Sequence, residues 1–137
     1  MKYTLKKSRH ANHLLPVHLV FTPKYRKKIF NEKHLDCMQK VFTKVCQDFD
    51  AELVEFNGEK DHVHLLVLHP PNVAISVMVN SLKGVSSRRL RQKFAMFKKV
   101  YWGQKVALWS RSYFAASVGG APIEILRQYI EQQDKPN

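Results

Sequence analysis

Hydrophobic and polar positions along this chain switch between a two-residue and a helical period, and the switches divide it into short strands and longer helices. Residues 13–24, centred on Leu14-Leu15-Pro16-Val17-His18-Leu19-Val20-Phe21, read as a strand with a proline near its start. A basic loop follows, Pro23-Lys24-Tyr25-Arg26-Lys27-Lys28. From Asn31, a residue suited to helix capping, Leu35, Met38, Val41, Phe42, Val45 and Phe49 recur at helical spacing. Ala51 to Phe56 predicts a second strand and His62 to His69 a third. Asn57-Gly58 opens the turn between them, giving an antiparallel hairpin with a slightly long loop. Pro70-Pro71-Asn72 ends that hairpin and is expected to cap a second helix over about 73–94, with Ile75, Val79, Leu82 and Leu90 turned inward. Residues 95–105 read as irregular. Leu108 to Val118 reads as one strand or a bent hairpin, Gly119-Gly120 breaks it, and Pro122 fits the first turn of a last helix over 121–133.

The order β-α-β-β-α-β plus a terminal helix predicts an α+β fold: a ferredoxin-like (RRM-like) antiparallel sheet of the kind found in many nucleic-acid domains. It is read as a single domain over residues 1–137, with a loose polar arm over 1–11. In the third strand, Val63, Leu65 and Val67 face one way, and His62, His64, Leu66 and Leu68 the other. Both faces are apolar beyond the histidines, so this strand is expected to be central and covered on both sides. The two inner helices can cover one face, and the terminal helix is the natural cover for the histidine face.

Composition sharpens this picture. The chain has 137 residues, 45% of them hydrophobic, enough for a real core and ordinary for a globular protein. Its 23 lysines and arginines against 11 acidic residues give a formal charge of +12, the electrostatic footprint of a polyanion binder. Cys37 and Cys46 are the only cysteines and lack paired-thiol metal spacing, which fits two free thiols in a reducing cytoplasm. The N-terminus lacks the apolar core of a secretory signal, and no run approaches the ~18 apolar residues of a membrane span, so no membrane partner is expected.

The candidate chemistry starts at His62 and His64. On one strand face they stand roughly 7 Å apart, and two imidazoles at that separation can converge on one divalent cation. Positions then stay open for a third ligand and a substrate oxygen. A lone histidine on an apolar strand is more often a packed core residue, but a same-face pair in a basic chain favours metal. His10, His13, His18, His34 and His69 have no comparable geometry and read as structural or surface residues. On the last helix, Tyr129 and Gln133 lie four apart and share a face. Gln133 offers a carbonyl oxygen for a hard cation such as Mg²⁺ or Mn²⁺, and Tyr129 a phenolic nucleophile. On spacing alone, these two could equally be an amphipathic helix residue and a solvated one. Tyr113 is a rival nucleophile, in a strand where an aromatic is expected to pack.

Here the residues resemble a known family. Glu55-Phe56-Asn57-Gly58, Asp61-His62-Val63-His64-Leu65-Leu66, Ser81-Leu82-Lys83-Gly84-Val85-Ser86-Ser87-Arg88-Arg89, Leu108-Trp109-Ser110-Arg111-Ser112-Tyr113-Phe114, Val118-Gly119-Gly120 and Tyr129-Ile130-Glu131-Gln132-Gln133 occur in matching order over nearly the whole chain. They are similar to the single-tyrosine HUH transposases, the small TnpA-type enzymes that move bacterial insertion sequences as single-stranded DNA. The resemblance implies His62 and His64 as paired metal ligands and Gln133 as the third. It implies Tyr129 as the nucleophile that forms a 5′-phosphotyrosine and frees a 3′-hydroxyl. It also implies a homodimer in which the tyrosine helix of one subunit completes the histidine site of the other, with Gly119 and Gly120 as the hinge.

Such enzymes recognise single-stranded DNA hairpins at element ends. The expected phosphate contacts are Lys24, Arg26, Lys27 and Lys28 in the first loop and Lys83, Arg88, Arg89 and Arg91 on the second helix, with Ser86 and Ser87 as neutral helpers. Tyr25, Tyr101 and Trp102 could stack on unpaired bases, or pack in the core. The alternative is a non-catalytic single-stranded nucleic-acid-binding module on the same fold. It leaves both the histidine pair and the Tyr129–Gln133 pair unemployed. A metal-dependent hydrolase needs a base beside the metal, and strand alternation turns Asp61, the one nearby carboxylate, to the opposite face.

Overall fold

The computed structural model describes residues 14–100 and 107–117. They form β1 (Leu15–Phe21), a 3-10 turn (Lys24–Arg26), α1 (Glu32–Asp48), β2 (Glu52–Gly58), β3 (Val63–His69), α2 (Ile75–Lys93), α3 (Met96–Val100) and β4 (Phe114–Ser117). The strands make one four-stranded sheet in the order β2-β3-β1-β4, with every adjacent pair antiparallel. This is the predicted ferredoxin-like arrangement, with β3 and β1 in the centre. The loose arm, the hinge glycines Gly119 and Gly120, and the terminal helix over 121–133 lie outside the described residues.

The helix starts follow from local chemistry. Asn31 caps α1 reciprocally: its Oδ1 accepts from His34 N at 3.0 Å, and His34 Nδ1 accepts from Asn31 N at 3.1 Å. Two of the helix's orphan donors are thereby satisfied, with histidine taking the place usually held by Glu or Gln. The inward faces of α1 and α2 (Met38, Phe42, Val45, Met78, Val79, Leu82, Leu90) meet Val17, Leu19, Phe21, Val63, Leu65 and Val67 in one core. Complete burial of each such side chain contributes about 1.5–3 kcal/mol. Val20, Leu66 and Leu68, on the opposite sheet face, are buried too, as the two-sided apolar pattern of β3 predicts.

Two segments depart from the sequence reading. Residues 95–105, expected to be irregular, begin with α3, which Phe97 anchors by full burial against His34, Phe30 and Phe94. The strand or bent hairpin expected over Leu108 to Val118 is, among the described residues, regular only from Phe114 to Ser117. Before it, Trp109 makes an isolated bridge to Pro23, and Ser110 N donates to Thr22 O. The physical cause is Lys83, whose Nζ donates to the carbonyls of Ser110 (2.6 Å), Ser112 (3.0 Å) and Arg111 (3.4 Å). Carbonyls turned toward an ammonium are not available to a strand ladder.

Candidate active site

The β1–β3 register builds the first half of the site. Val20 lies opposite His64 and His18 opposite Leu66, so His18 and His64 are diagonal neighbours on the sheet face away from α1 and α2. Their rings stack at 4.9 Å with 14° between planes, and His18 Nδ1 lies 2.7 Å from His64 Nε2. A β-bulge between Leu53 and Glu55 adds one residue to β2, which pairs Glu55 with Leu66 and Asn57 with His64. The bulge therefore turns the Glu55 carboxylate onto the histidine face. Burial, helped by the neighbouring His18 and His62 and opposed by Glu55, holds the His64 imidazole below the usual histidine range. His64 is thus neutral at pH 7, the state a metal ligand needs.

His62 stands just before β3 rather than in it, because residues 60–61 bend. The bend also corrects the placement of Asp61: strand alternation does not reach it, and its carboxylate lies beside His62. His62 Nδ1 is 2.9 Å from Asp61 Oδ1, and Arg26 Nε donates to Asp61 Oδ2 at 2.9 Å. Burial pushes the Asp61 carboxyl up, but hydrogen bonds and charge from His62 and Arg26 together outweigh it and hold it below its ordinary value. Arg26 reaches this position from an unusual backbone. Tyr25 and Arg26 both have left-handed φ, 61° and 50°, at a strain on the order of 1–3 kcal/mol each.

Two features of the histidines have the chemistry a divalent-cation ligand needs. One imidazole is held neutral, the other is oriented by a carboxylate, and the Glu55 charge stands nearby, an arrangement typical of metal-binding histidines. The described residues contain no group of three or more His, Cys, Asp or Glu side chains placed to hold a metal. Gln133 and Tyr129 lie outside the described residues. His18 was missed by sequence reasoning. Its parity in β1 was readable, but the register that sets it against His64 was not.

The predicted DNA contacts separate into two groups. Lys24, Arg26, Lys27 and Lys28 belong to the loop that reaches Asp61, on the histidine side of the molecule. Lys28 is exposed, Lys24 and Lys27 are half-buried, and Tyr25 stands 48% exposed with the Lys24 ammonium over its ring. Arg88 and Arg89 are exposed and Arg91 half-buried on α2, in the helical layer across the sheet from His64. Lys83 has a different task. Burial lowers its ammonium to about 8, and it tethers residues 110–112 while lying over the rings of Phe21 and Tyr113. Ser86 is fully buried, accepts from Trp109 Nε1 at 2.9 Å and donates to Lys83 O, so it faces the core rather than phosphate. Tyr113 packs against the core, as expected of an aromatic there. Tyr101 and Trp102 lie outside the described residues.

The chain is a basic α+β protein with a ferredoxin-like sheet and paired histidines at the start of a central strand. Comparison with known proteins places it in a family. The family described as "Transposase IS200 like" matches residues 11–133. The insertion sequence IS200 transposase of Salmonella typhimurium is 31% identical over 116 residues, covering 85% of this chain and 74% of the relative. The ISDra2 transposase TnpA of Deinococcus radiodurans is 30% identical over 129 residues, covering 94% and 91%. A crystal structure described as a Deinococcus radiodurans transposase superposes with a TM-score of 0.84 at 31% identity, covering 96% of this chain and all of the other. A REP-associated tyrosine transposase bound to a REP hairpin shares the fold, with a TM-score of 0.56 at 11% identity. This chain belongs to the IS200-like transposase family.

Proposed function

We propose that the protein cleaves and rejoins single-stranded DNA at the ends of an insertion sequence, with Tyr129 as nucleophile and DNA hairpins as the recognised element. The observation that carries this reading is His62, oriented by the Asp61 carboxylate beside His64, in a chain whose match to the transposase family spans Tyr129 and Gln133. His62, His64 and Gln133 would hold a divalent ion, Mg²⁺ or Mn²⁺, which when bound polarises and orients the scissile phosphate. The Tyr129 phenolic oxygen loses its proton and attacks phosphorus. The bond to the 3′ oxygen breaks, and that oxygen takes up a proton. A 5′-phosphotyrosine and a free 3′-hydroxyl result. Because the phosphodiester is exchanged rather than hydrolysed, a later 3′-hydroxyl can reverse the step without ATP. The basic loop at Lys24, Lys27 and Lys28, with its exposed Tyr25, supports strand binding beside the histidines. The working form is a homodimer with sites shared between subunits, each tyrosine helix swinging on Gly119 and Gly120, in the cytoplasm of a prokaryotic cell.

The test mixes the protein and Mn²⁺ with single-stranded oligonucleotides carrying the hairpins that flank its gene. A protein–DNA adduct that survives a denaturing gel, and is lost with chelator and in Tyr129→Phe, is the expected result. Strong hairpin binding without any adduct would favour the non-catalytic module.

A further inference from the structure

The Arg26–Asp61 pair remains outside the proposed chemistry, yet it is among the most constrained side-chain contacts near the histidines. Asp61 uses each oxygen once, Oδ2 for Arg26 and Oδ1 for His62, both at 2.9 Å. Side-chain exposure is low throughout, 12% for Asp61, 21% for Arg26 and 23% for His62. An arginine is always charged and can only donate. Its carboxylate partner is therefore ionised and can only accept. The remaining oxygen must accept from His62, so the His62 proton resides on Nδ1 and the lone pair on Nε2.

A structural tie between the first loop and the start of β3 exists without this pair. Ile29 N and Phe30 N both donate to Lys60 O at 3.0 Å, which already joins the two segments. The strained Tyr25–Arg26 turn is also held independently, by Arg26 N donating to Pro23 O at 2.8 Å and Lys24 N to Leu108 O at 2.8 Å. The side-chain relay is thus superfluous for closing the loop, and its consequence falls on His62.

We propose that Arg26 and Asp61 are positioning residues that lock His62 in its Nδ1–H tautomer, leaving Nε2 as the nitrogen that binds the divalent ion. This inference rests on His62 being a metal ligand, as proposed above. Arg26, expected from sequence to contact phosphate, acts instead through Asp61 on the metal site. In Asp61→Asn, Arg26 retains the amide oxygen and turns the amide NH₂ toward His62 Nδ1. The ring must then accept at Nδ1, and its proton moves to Nε2, the ligating position. Replacing Arg26 as well, in Arg26→Gln/Asp61→Asn, frees the amide to turn over and restores part of the original tautomer.

Two readouts on the full chain test this. Long-range ¹H–¹⁵N NMR of the metal-free protein at pH 7.5 reports the His62 tautomer, and Mn²⁺ titration followed by electron paramagnetic resonance reports affinity. Expected are an Nδ1–H tautomer in the wild type and an Nε2–H tautomer in Asp61→Asn. Mn²⁺ affinity should fall about 10–100-fold in that variant and recover partly in the double variant. A wild-type proton on Nε2 would overturn the inference without need of any variant. So would Asp61→Asn binding Mn²⁺ within about twofold of the wild type. A wild type that binds no Mn²⁺, equal in this to His62→Ala, would remove the metal reading itself and this inference with it. Failure in Asp61→Asn alone touches only the positioning role.

Discussion

His18 Nδ1 and His64 Nε2 lie 2.7 Å apart, and their rings stack with 14° between planes. One ring must donate and the other accept, so the pair is incompatible with a proton on all four nitrogens. Truncating the partner in His18→Ala removes both its repulsion and part of the burial of His64. The His64 pKa, depressed in the wild type, should rise toward 6.5. A folded-state pKa below 6.5 keeps His64 neutral as pH falls to that value and beyond. The variant should therefore lose divalent-ion binding at a higher pH than the wild type. Histidine ¹³C or ¹⁵N titration by NMR checks the shift, and an unchanged His64 titration would contradict the assignment.

The basic residues should separate by salt dependence. Neutralising a true phosphate contact, such as Lys28→Gln or Arg88→Gln, should reduce the slope of log K against log salt by about 0.7–0.9 per contact. Lys83→Met should act differently, since its ammonium serves three carbonyls. It should destabilise the fold by about 1.5–3 kcal/mol, the range for hydrogen bonds to a charged group, and leave the salt slope unchanged. Denaturant melts and hairpin binding at several salt concentrations distinguish the two classes.

Acid should weaken the fold through His34. Burial, partly opposed by a hydrogen bond that the ring donates to the Ile29 backbone, lowers this imidazole from its ordinary 6.5. Its Nδ1 must stay unprotonated to accept from Asn31 N. Below pH 6.5 the unfolded chain takes up a proton that folded His34 resists, so stability is complete above that pH and falls as acid is added. His34→Gln preserves the cap acceptor without a titrating ring. Its melting temperature, lower at neutral pH for want of the ring's packing on Phe94 and Phe97, should decline less between pH 7 and 5. An equal decline in both proteins would place the effect elsewhere.

Two glycines should respond in opposite directions. A Cβ at Gly84, within α2, would meet Arg88 Nη1 at an ordinary 3.5 Å. Gly84→Ala should therefore stabilise by about 0.5–1 kcal/mol through helix entropy. A Cβ at Gly58 would collide with the Leu35 side chain of α1. Gly58→Ala should destabilise by about 1 kcal/mol as Leu35 is displaced. Thermal melts of both variants check the signs.

Periodicity made the fold legible. The helical spacing of Leu35, Met38, Phe42 and Val45 and the two-sided apolar run of β3 identified α1 and the central strand, and Asn31 marked the helix start to the residue. The site was legible only in part. His62 and His64 stood out as a sequence pair, but His18 needed the β1–β3 register and Glu55 the bulge in β2. Asp61 needed the bend at residues 60–61, which breaks the alternation used to place it. Lys83 and Ser86 looked like phosphate contacts because sequence carries charge and polarity but not burial. Their carbonyl and indole partners lie more than 20 residues away along the chain.

In the proposed reaction Tyr129 becomes covalently joined to DNA beside the His62–His64 pair. Protease digestion and mass spectrometry of the adduct formed with a flanking-hairpin oligonucleotide and Mn²⁺ test it most directly. A 5′-phosphate ester on the peptide containing Tyr129, absent in His62→Ala and His64→Ala, is the expected result. A linkage mapped to Tyr113 or any other residue, or an adduct undiminished in Tyr129→Phe, would contradict it.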